Sequence, residues 1–300
     1  MSDKDRTIVV GVDGSGASMA AVTWAAKLAS ARGLELEIVH GLQIAALCYG
    51  GVGLAGIDVL FDAVRQDGER VLAEARRLVT TVDKDLVLGS DMPTETPAPL
   101  LIERSRRARM VVVGATGSGG FAGMVLGTTA ATLVSHAHSP VAVIRGREGS
   151  THIPGTGPVV VGIDGSPTSE QAIAAAFEEA SLRGVPLVAV HAWSDVTYED
   201  FSGIVRIMPQ WESVVEGEER LLAQRLAGWQ EKYPDVEIRR ELRRDRPRQA
   251  LLDASENAQL VVVGSRGRGG FTGLLLGSTS QALVHHAGCP VLVVRPELAR

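Results

Sequence analysis

The chain has 300 residues, 30 Lys+Arg against 35 Asp+Glu for a formal charge of −5, and a composition that is 45% hydrophobic, 22% charged and 4% aromatic. Such a length suits two domains with real cores, and the apolar content excludes wholesale disorder. The mildly acidic balance argues against a general electrostatic grip on nucleic acid or an anionic membrane. In chain order, residues 7–12 form a continuous apolar run, the mark of a strand buried on both faces. Residues 18–32 carry a helical apolar face that Gly33 stops, and residues 36–40 give a second strand. A long amphipathic helix follows at 62–82, then a strand at 86–88, a helix at 99–107 and a strand at 110–114. A helix at 128–138 and a strand at 140–144 close the first half. The same order returns between residues 159 and 294. Alternation of this kind demands right-handed crossovers and a parallel sheet covered on both faces. Each half is therefore expected to be a five-stranded, doubly wound α/β domain.

The chain is written twice. Val9-Val10-Gly11-Val12-Asp13-Gly14-Ser15 recurs as Val160-Val161-Gly162-Ile163-Asp164-Gly165-Ser166, and His40 recurs as His191, all at an offset of 151. Val111-Val112-Val113-Gly114 recurs as Val261-Val262-Val263-Gly264 at an offset of 150, which places a one-residue loss between Leu101 and Met110. A period this long is a duplicated domain rather than a solenoid repeat. The Gly- and Pro-bearing stretch between the copies marks an exposed boundary, giving domains at 1–147 and 158–300 with a linker at 148–157.

Residues 110–134 lack charge over a length sufficient for a bilayer. Six glycines break that stretch, however, and its counterpart carries Arg266 and Arg268, so a strand followed by a glycine loop is the reading that fits both copies. The first residues, MSDKDRTIVVGVDGS, show no signal pattern. A cytoplasmic protein without membrane insertion is expected. Two cysteines, Cys48 and Cys289, are too few for a disulfide framework or a cysteine zinc site.

In open parallel sheets ligands bind beyond the carboxyl ends of strands, where strand order reverses. Two such ends carry unusual residues in each half. The first strand ends in Gly11-Val12-Asp13-Gly14-Ser15, and the fourth in Gly114-Ala115-Thr116-Gly117-Ser118-Gly119-Gly120, with nine residues between Gly117 and Gly127-Thr128. The second half keeps the spacing in Gly264-Ser265-Arg266-Gly267-Arg268-Gly269-Gly270 and Gly277-Ser278. Glycines let backbone N–H groups approach an anion, Thr128 or Ser278 can cap the following helix, and the helix start favours phosphate. Two loops of identical spacing after equivalent strands make this a strong signal.

The pattern G-x2-G-x9-G-[ST] after the fourth strand, with an aspartate closing the first, resembles the universal stress proteins of the ATP-binding kind. The resemblance covers both halves and therefore a tandem arrangement, one common in mycobacteria. It implies a Rossmann-like five-stranded fold of strand order 3-2-1-4-5 in each domain. It also implies adenine and ribose near Asp13 and Asp164, further adenine contact from the backbone of Gly41 and Ala192, and phosphates on the two glycine loops. Gly11 and Gly162 belong to the same strand ends. ATP with Mg2+, a stress or dormancy regulator, a homodimer or a pairing of the two domains, and an unidentified regulatory protein partner are its further implications; turnover is not among them.

Rival readings remain. A dehydrogenase would need an acid at the end of the second strand, where His40 stands instead, and a P-loop hydrolase would need a lysine after the loop. A slow ATP hydrolase or autophosphorylating enzyme using Asp13 or Asp164 stays open, as does a scaffold that binds no nucleotide and dimerises through its closing strands. His40 and His191 read as packed, hydrogen-bonded side chains, and Cys289 as a small buried one. The arginines at 104–109 and 239–248 lack interleaved aromatics and read as solvated faces. Arg266 and Arg268 stand where the first half has Thr116 and Ser118, so the second site is expected to bind more tightly or with less need of magnesium. The apolar segment 42–61 fits a lid, a partner surface or a packed connection.

Overall fold

The computed structural model describes residues 6–42, 57–118, 125–147, 152–192, 211–243, 246–267 and 275–295. The chain divides into two compact units between Ile153 and Pro154. The first contains β1 (Thr7–Gly11), α1 (Gly16–Arg32), β2 (Glu35–Val39), α2 (Ile57–Val82), β3 (Leu88–Asp91), α3 (Pro97–Arg104), β4 (Met110–Gly114), α4 (Thr128–His136) and β5 (Val141–Ile144). The second contains β6 (Val159–Gly162), α5 (Pro167–Arg183), β7 (Leu187–Ala192), α6 (Trp211–Lys232), β8 (Ile238–Arg243), α7 (Pro247–Ser255), β9 (Leu260–Gly264), α8 (Ser278–His286) and β10 (Val291–Val294). Strands run β3-β2-β1-β4-β5 in the first unit and β8-β7-β6-β9-β10 in the second, with parallel pairing. The doubly wound α/β architecture and its strand order hold in both. Among the described residues no helix is long and apolar enough to cross a membrane.

The central strands are valine-rich because both of their faces are covered: Val10, Val111, Val112, Val160, Val261 and Val262 are all buried. Helix α1 begins where the Ser15 hydroxyl accepts from the Ser18 N–H at 3.2 Å. It ends at Gly33, whose φ of 60° is a left-handed conformation that suits glycine. Ser166 and Gly184 repeat both devices around α5.

Three sequence expectations are corrected. The third strand lies at Leu88–Asp91, pairing Leu36 with Leu88, rather than at 86–88. Val87 is 63% exposed, so at this sheet edge backbone pairing defines the strand and hydrophobicity does not. The repeat register also moves. Leu36 pairs with Leu88 and its counterpart Leu187 with Ile238, so the offset has already fallen to 150 by the third strand. The one-residue loss lies between the second and third strands, not between Leu101 and Met110. Finally, Arg104 is no solvated side chain: it bridges Glu37 on β2 and Asp91 on β3. Burial pushes the Glu37 carboxyl up, with Arg104 opposing and Asp91 reinforcing the shift.

Cys289 is buried, as expected of a small packed side chain. Most of segment 42–61, including Cys48, lies outside the described residues, so neither a lid nor a partner surface is assigned to it.

Candidate functional site

The strand order of the first unit reverses at β1, between β2 and β4, and a cleft of about 650 Å³ opens over that point. The volume is that of an ordinary small-ligand pocket. Val39, Leu42, Ala63, Val64, Leu100 and Leu101 supply an apolar side, and the glycine loop with the start of α4 supplies a polar side. Gly11, Asp13, Gly41, Gly114, Thr116, Gly117, Ser118, Gly127 and Thr128 all line it. Ala115 does not: it is buried, its N–H donating to Ile144 and its carbonyl accepting from Gly127. Gly119 and Gly120 in this loop, and Arg268, Gly269 and Gly270 in the other, lie outside the described residues.

Asp13 organises the polar side. Its Oδ1 accepts from the Ser15 N–H at 3.0 Å and the Ser15 hydroxyl at 2.6 Å, and its Oδ2 accepts from the Ser118 N–H at 2.7 Å. Burial acts to raise its pKa, but the hydrogen bonds from Ser15, Ser118 and Ser18 together outweigh it and hold the carboxyl below its ordinary value. The residue is thus an ionised, oriented acceptor that ties the end of β1 to the loop after β4.

The glycines fall into two classes. A Cβ at Gly117 would stand 2.6 Å from Asp13 Oδ2, one at Gly114 would stand 2.7 Å from the Ala17 backbone, and one at Gly11 would stand 2.7 Å from Leu101. Gly41 is similarly pressed on the Glu95 carbonyl at 2.8 Å. These positions are small because the protein packs against itself. Gly127 differs: its φ is −73°, and a Cβ there would meet ordinary contacts of 3.5 Å or more. The fold does not require glycine at this point, and the space is left to whatever docks.

Gly127 and Gly277 are themselves the N-caps of α4 and α8, which corrects the expectation that Thr128 or Ser278 would cap them. Those residues begin the helices, and neither cap offers a side-chain hydrogen bond. The first-turn N–H groups of α4 therefore have no side-chain acceptor at the cap, and Gly127, Thr128, Thr129 and Ala130 face the cleft. This is an anion-binding arrangement: directed N–H donors, the positive end of a helix dipole, and a cradle without a Cβ.

The second unit repeats the frame with different wiring. Gly162 stands against Leu251, Gly264 against Thr168, and Gly267 directly against the Asp164 carboxylate. The Ser166 N–H donates to Asp164 Oδ1 at 2.9 Å. Thr168, which replaces Ala17, donates its hydroxyl to the Arg266 carbonyl at 2.6 Å and lies 3.1 Å from the Ser166 hydroxyl. With the Thr168 proton committed, the Ser166 hydroxyl donates to Thr168, whereas Ser15 donates to Asp13. Ser265 is fully buried, Ala192 is the half-buried last residue of β7, and Ser278 opens α8 behind Gly277.

Both histidines are packed and hydrogen-bonded, as expected. His40 Nδ1 lies 2.8 Å from the Val12 carbonyl and His191 Nδ1 2.7 Å from the Ile163 carbonyl, each tying the second strand of its unit to the residue before the aspartate. A carbonyl only accepts, so Nδ1 is the protonated nitrogen in both. His191 Nε2 also lies 2.7 Å from Glu218 Oε2. Gly68 occupies the equivalent position in the first unit. Sequence reasoning missed Asp67, Pro97, Leu100, Thr168, Glu218 and Arg225. Superposing the two halves at an offset of 150 would have exposed the exchange of Gly68 for Glu218.

The universal stress protein family model matches residues 5–145 and again 156–295. A universal stress protein of Mycobacterium tuberculosis, Rv2005c, is 43% identical over 97% of this chain and 98% of its own length. One from Mycolicibacterium smegmatis is 42% identical over 96% and 97%. The crystal structure of a universal stress protein from Archaeoglobus fulgidus superposes with a TM-score of 0.67 at 20% identity, covering 98% of this chain and 99% of that one, which speaks for the fold alone. Two matched domains and near-complete coverage place this chain in the universal stress protein family, as a tandem-domain member of the mycobacterial type.

Proposed function

We propose that this protein is an ATP-binding stress or dormancy regulator whose clefts report nucleotide occupancy to a protein partner. The observation that carries the reading is the uncapped N-terminus of α4, facing the same cleft as the ionised Asp13. Adenine belongs on the apolar side between Leu42, Val64 and Leu101, the ribose near Asp13, and the phosphates against Gly117, Gly127 and the first N–H groups of α4. A magnesium ion arriving with the phosphates needs only one or two protein carboxylates, and Asp13 or Asp164 suits that role.

Asp13 Oδ1 and Oδ2 both accept hydrogen bonds and the carboxylate is held ionised, which supports binding over proton transfer. Occupancy would act on the partner surface through the loop that Ser118 anchors to Asp13, provided the partner distinguishes the filled loop from the empty one.

The test is to denature freshly purified protein and quantify the released nucleotide by chromatography, followed by titration with magnesium-ATP. Intact ATP in stoichiometric amounts is expected. Release of ADP would instead favour the slow hydrolase, and absence of binding even in the titration would leave the nucleotide-free scaffold.

A further inference from the structure

The two units are charged differently at the corresponding strand ends. Among the described lining residues of the first cleft are two carboxylates, Asp13 and Asp67, and no lysine or arginine, with the exposed Asp67 paired to Arg70 at 2.8 Å. The second unit has Gly217 where the first has Asp67, and Arg266 where the first has Thr116. The carboxylate that the second unit does gain nearby, Glu218, is engaged by His191. Arg266 is exposed at the loop after β9 and follows Ser265, whose N–H donates to the Val294 carbonyl at 2.7 Å. That bond sets Arg295, the residue after Val294, beside Arg266. Arg295 is half-buried, and burial together with the Arg266 charge lowers its pKa. A polyphosphate arriving at Arg266 therefore has a second guanidinium nearby. The first unit keeps an arginine at the matching strand end, Arg145, but places the neutral Thr116 opposite it.

Resting on the nucleotide reading above, we propose that the two units sort adenine nucleotides by phosphate charge. The second unit takes a polyphosphate unaided, with Arg266 and Arg295 as its specificity-determining residues. The first takes a weakly charged nucleotide, and accepts ATP only when a divalent cation accompanies it. A triphosphate brought without metal into the first cleft meets the ionised Asp13 and no arginine among the described loop residues, a charge that the N–H groups of α4 alone do not offset.

Calorimetric titration of the full chain with ATP and with AMP, each with EDTA and with excess magnesium, tests this. In EDTA, ATP should fill one site per chain about tenfold more tightly than the other. AMP should fill both alike, and magnesium should bring the two ATP sites together. Arg266→Thr should weaken metal-free ATP at the tight site by about tenfold and leave AMP unchanged. Thr116→Arg should strengthen metal-free ATP at the weak site. Both changes lie on exposed or partly exposed loop positions, and a thermal melt matching the wild type establishes that each variant is folded. Two equal metal-free ATP sites in the wild type would overturn the sorting while leaving nucleotide binding intact. So would an Arg266→Thr variant that lost AMP and ATP by the same factor. If the wild type bound neither nucleotide at millimolar concentration, with or without magnesium, the nucleotide reading would fail and the sorting with it.

Discussion

The second helix of each domain lies against the end of its second strand, and the two domains hold it there by different physics. In the first unit the contacts are close and mainly apolar. Gly68 lets α2 press onto His40, Leu42 and Met92, where a Cβ would come within 2.5–3.1 Å, and Val71 lies 3.0 Å from where a Cβ of Gly14 would be. In the second unit α6 is pinned by charge. Glu218 meets His191, and Arg225 pairs with Glu170 and reaches the Gly165 carbonyl in the loop beside Asp164. Farther along, Phe177 stacks against Trp229 and Tyr233 at centroid distances of 6.1 and 5.7 Å, where the first unit has Ala26, Val79 and Asp83. Duplication thus preserved the strand ends and the loop spacing while the helix packed against the second strand was re-engineered. The frame is fixed by sheet geometry; the helix is free to change provided its polar groups are paired.

Breaking the aromatic anchor should have the largest effect. Phe177→Ala deletes a fully buried ring and should destabilise the second unit by about 4 kcal/mol, read as a lower urea midpoint for that unit with the first unchanged. A result near zero would mean that Trp229 and Tyr233 repack over the gap. Next comes Glu179→Ala. Glu179 is fully buried and accepts from Arg183, whose other arm reaches Gln259; the first unit has Leu28 in its place. Removing that buried carboxylate from Arg183 should cost about 3 kcal/mol, measured in the same unfolding experiment. Gly117→Ala should follow, because even a methyl group would stand 2.6 Å from Asp13 Oδ2. Nucleotide affinity in the first unit should drop by about a hundredfold, or roughly 2.7 kcal/mol, with the second unit unaffected.

Why much of this could be read from the chain, and some could not, follows from the same contrast. Strand ends such as Gly11-Val12-Asp13 and the loop glycines are constrained by backbone approach, which depends on residue type and leaves a spacing pattern. Gly117 must be glycine because Asp13 is there, and both residues are visible in both halves. The edge strand β3 was misplaced because Leu88–Asp91 has no apolar alternation; its pairing to β2 is a backbone fact. The role of Arg104 was hidden for a related reason: its partners Glu37 and Asp91 are distant in sequence and meet only when β2 and β3 pair. The capping of α4 was misread since Thr128 is a good cap by type, yet the helix begins at that residue and glycine takes the cap position.

The smallest effect concerns pH, and it sets two carboxylates of the first unit against each other. Asp13 has a folded pKa below its unfolded value of about 3.9. Unfolding in acid therefore takes up a proton, so its stabilisation is present above that unfolded value and is lost as pH falls through the folded one. Glu37 has a folded pKa above its unfolded value, so its contribution has the opposite sense: complete below the unfolded pKa of about 4.3, and lost as pH rises through the folded one. Urea midpoints of the first unit, followed from pH 3 to pH 6, should respond in opposite directions to Asp13→Asn and Glu37→Gln. The first variant should flatten the loss of stability on the acid side of about pH 4. The second should remove a decline on the alkaline side of it, while also releasing Arg104 from one of its two partners. If both variants shifted the profile in the same direction, the hydrogen bonds from Ser15 and Ser118 would not be what holds Asp13 ionised, and the tie between the end of β1 and the glycine loop would need another cause.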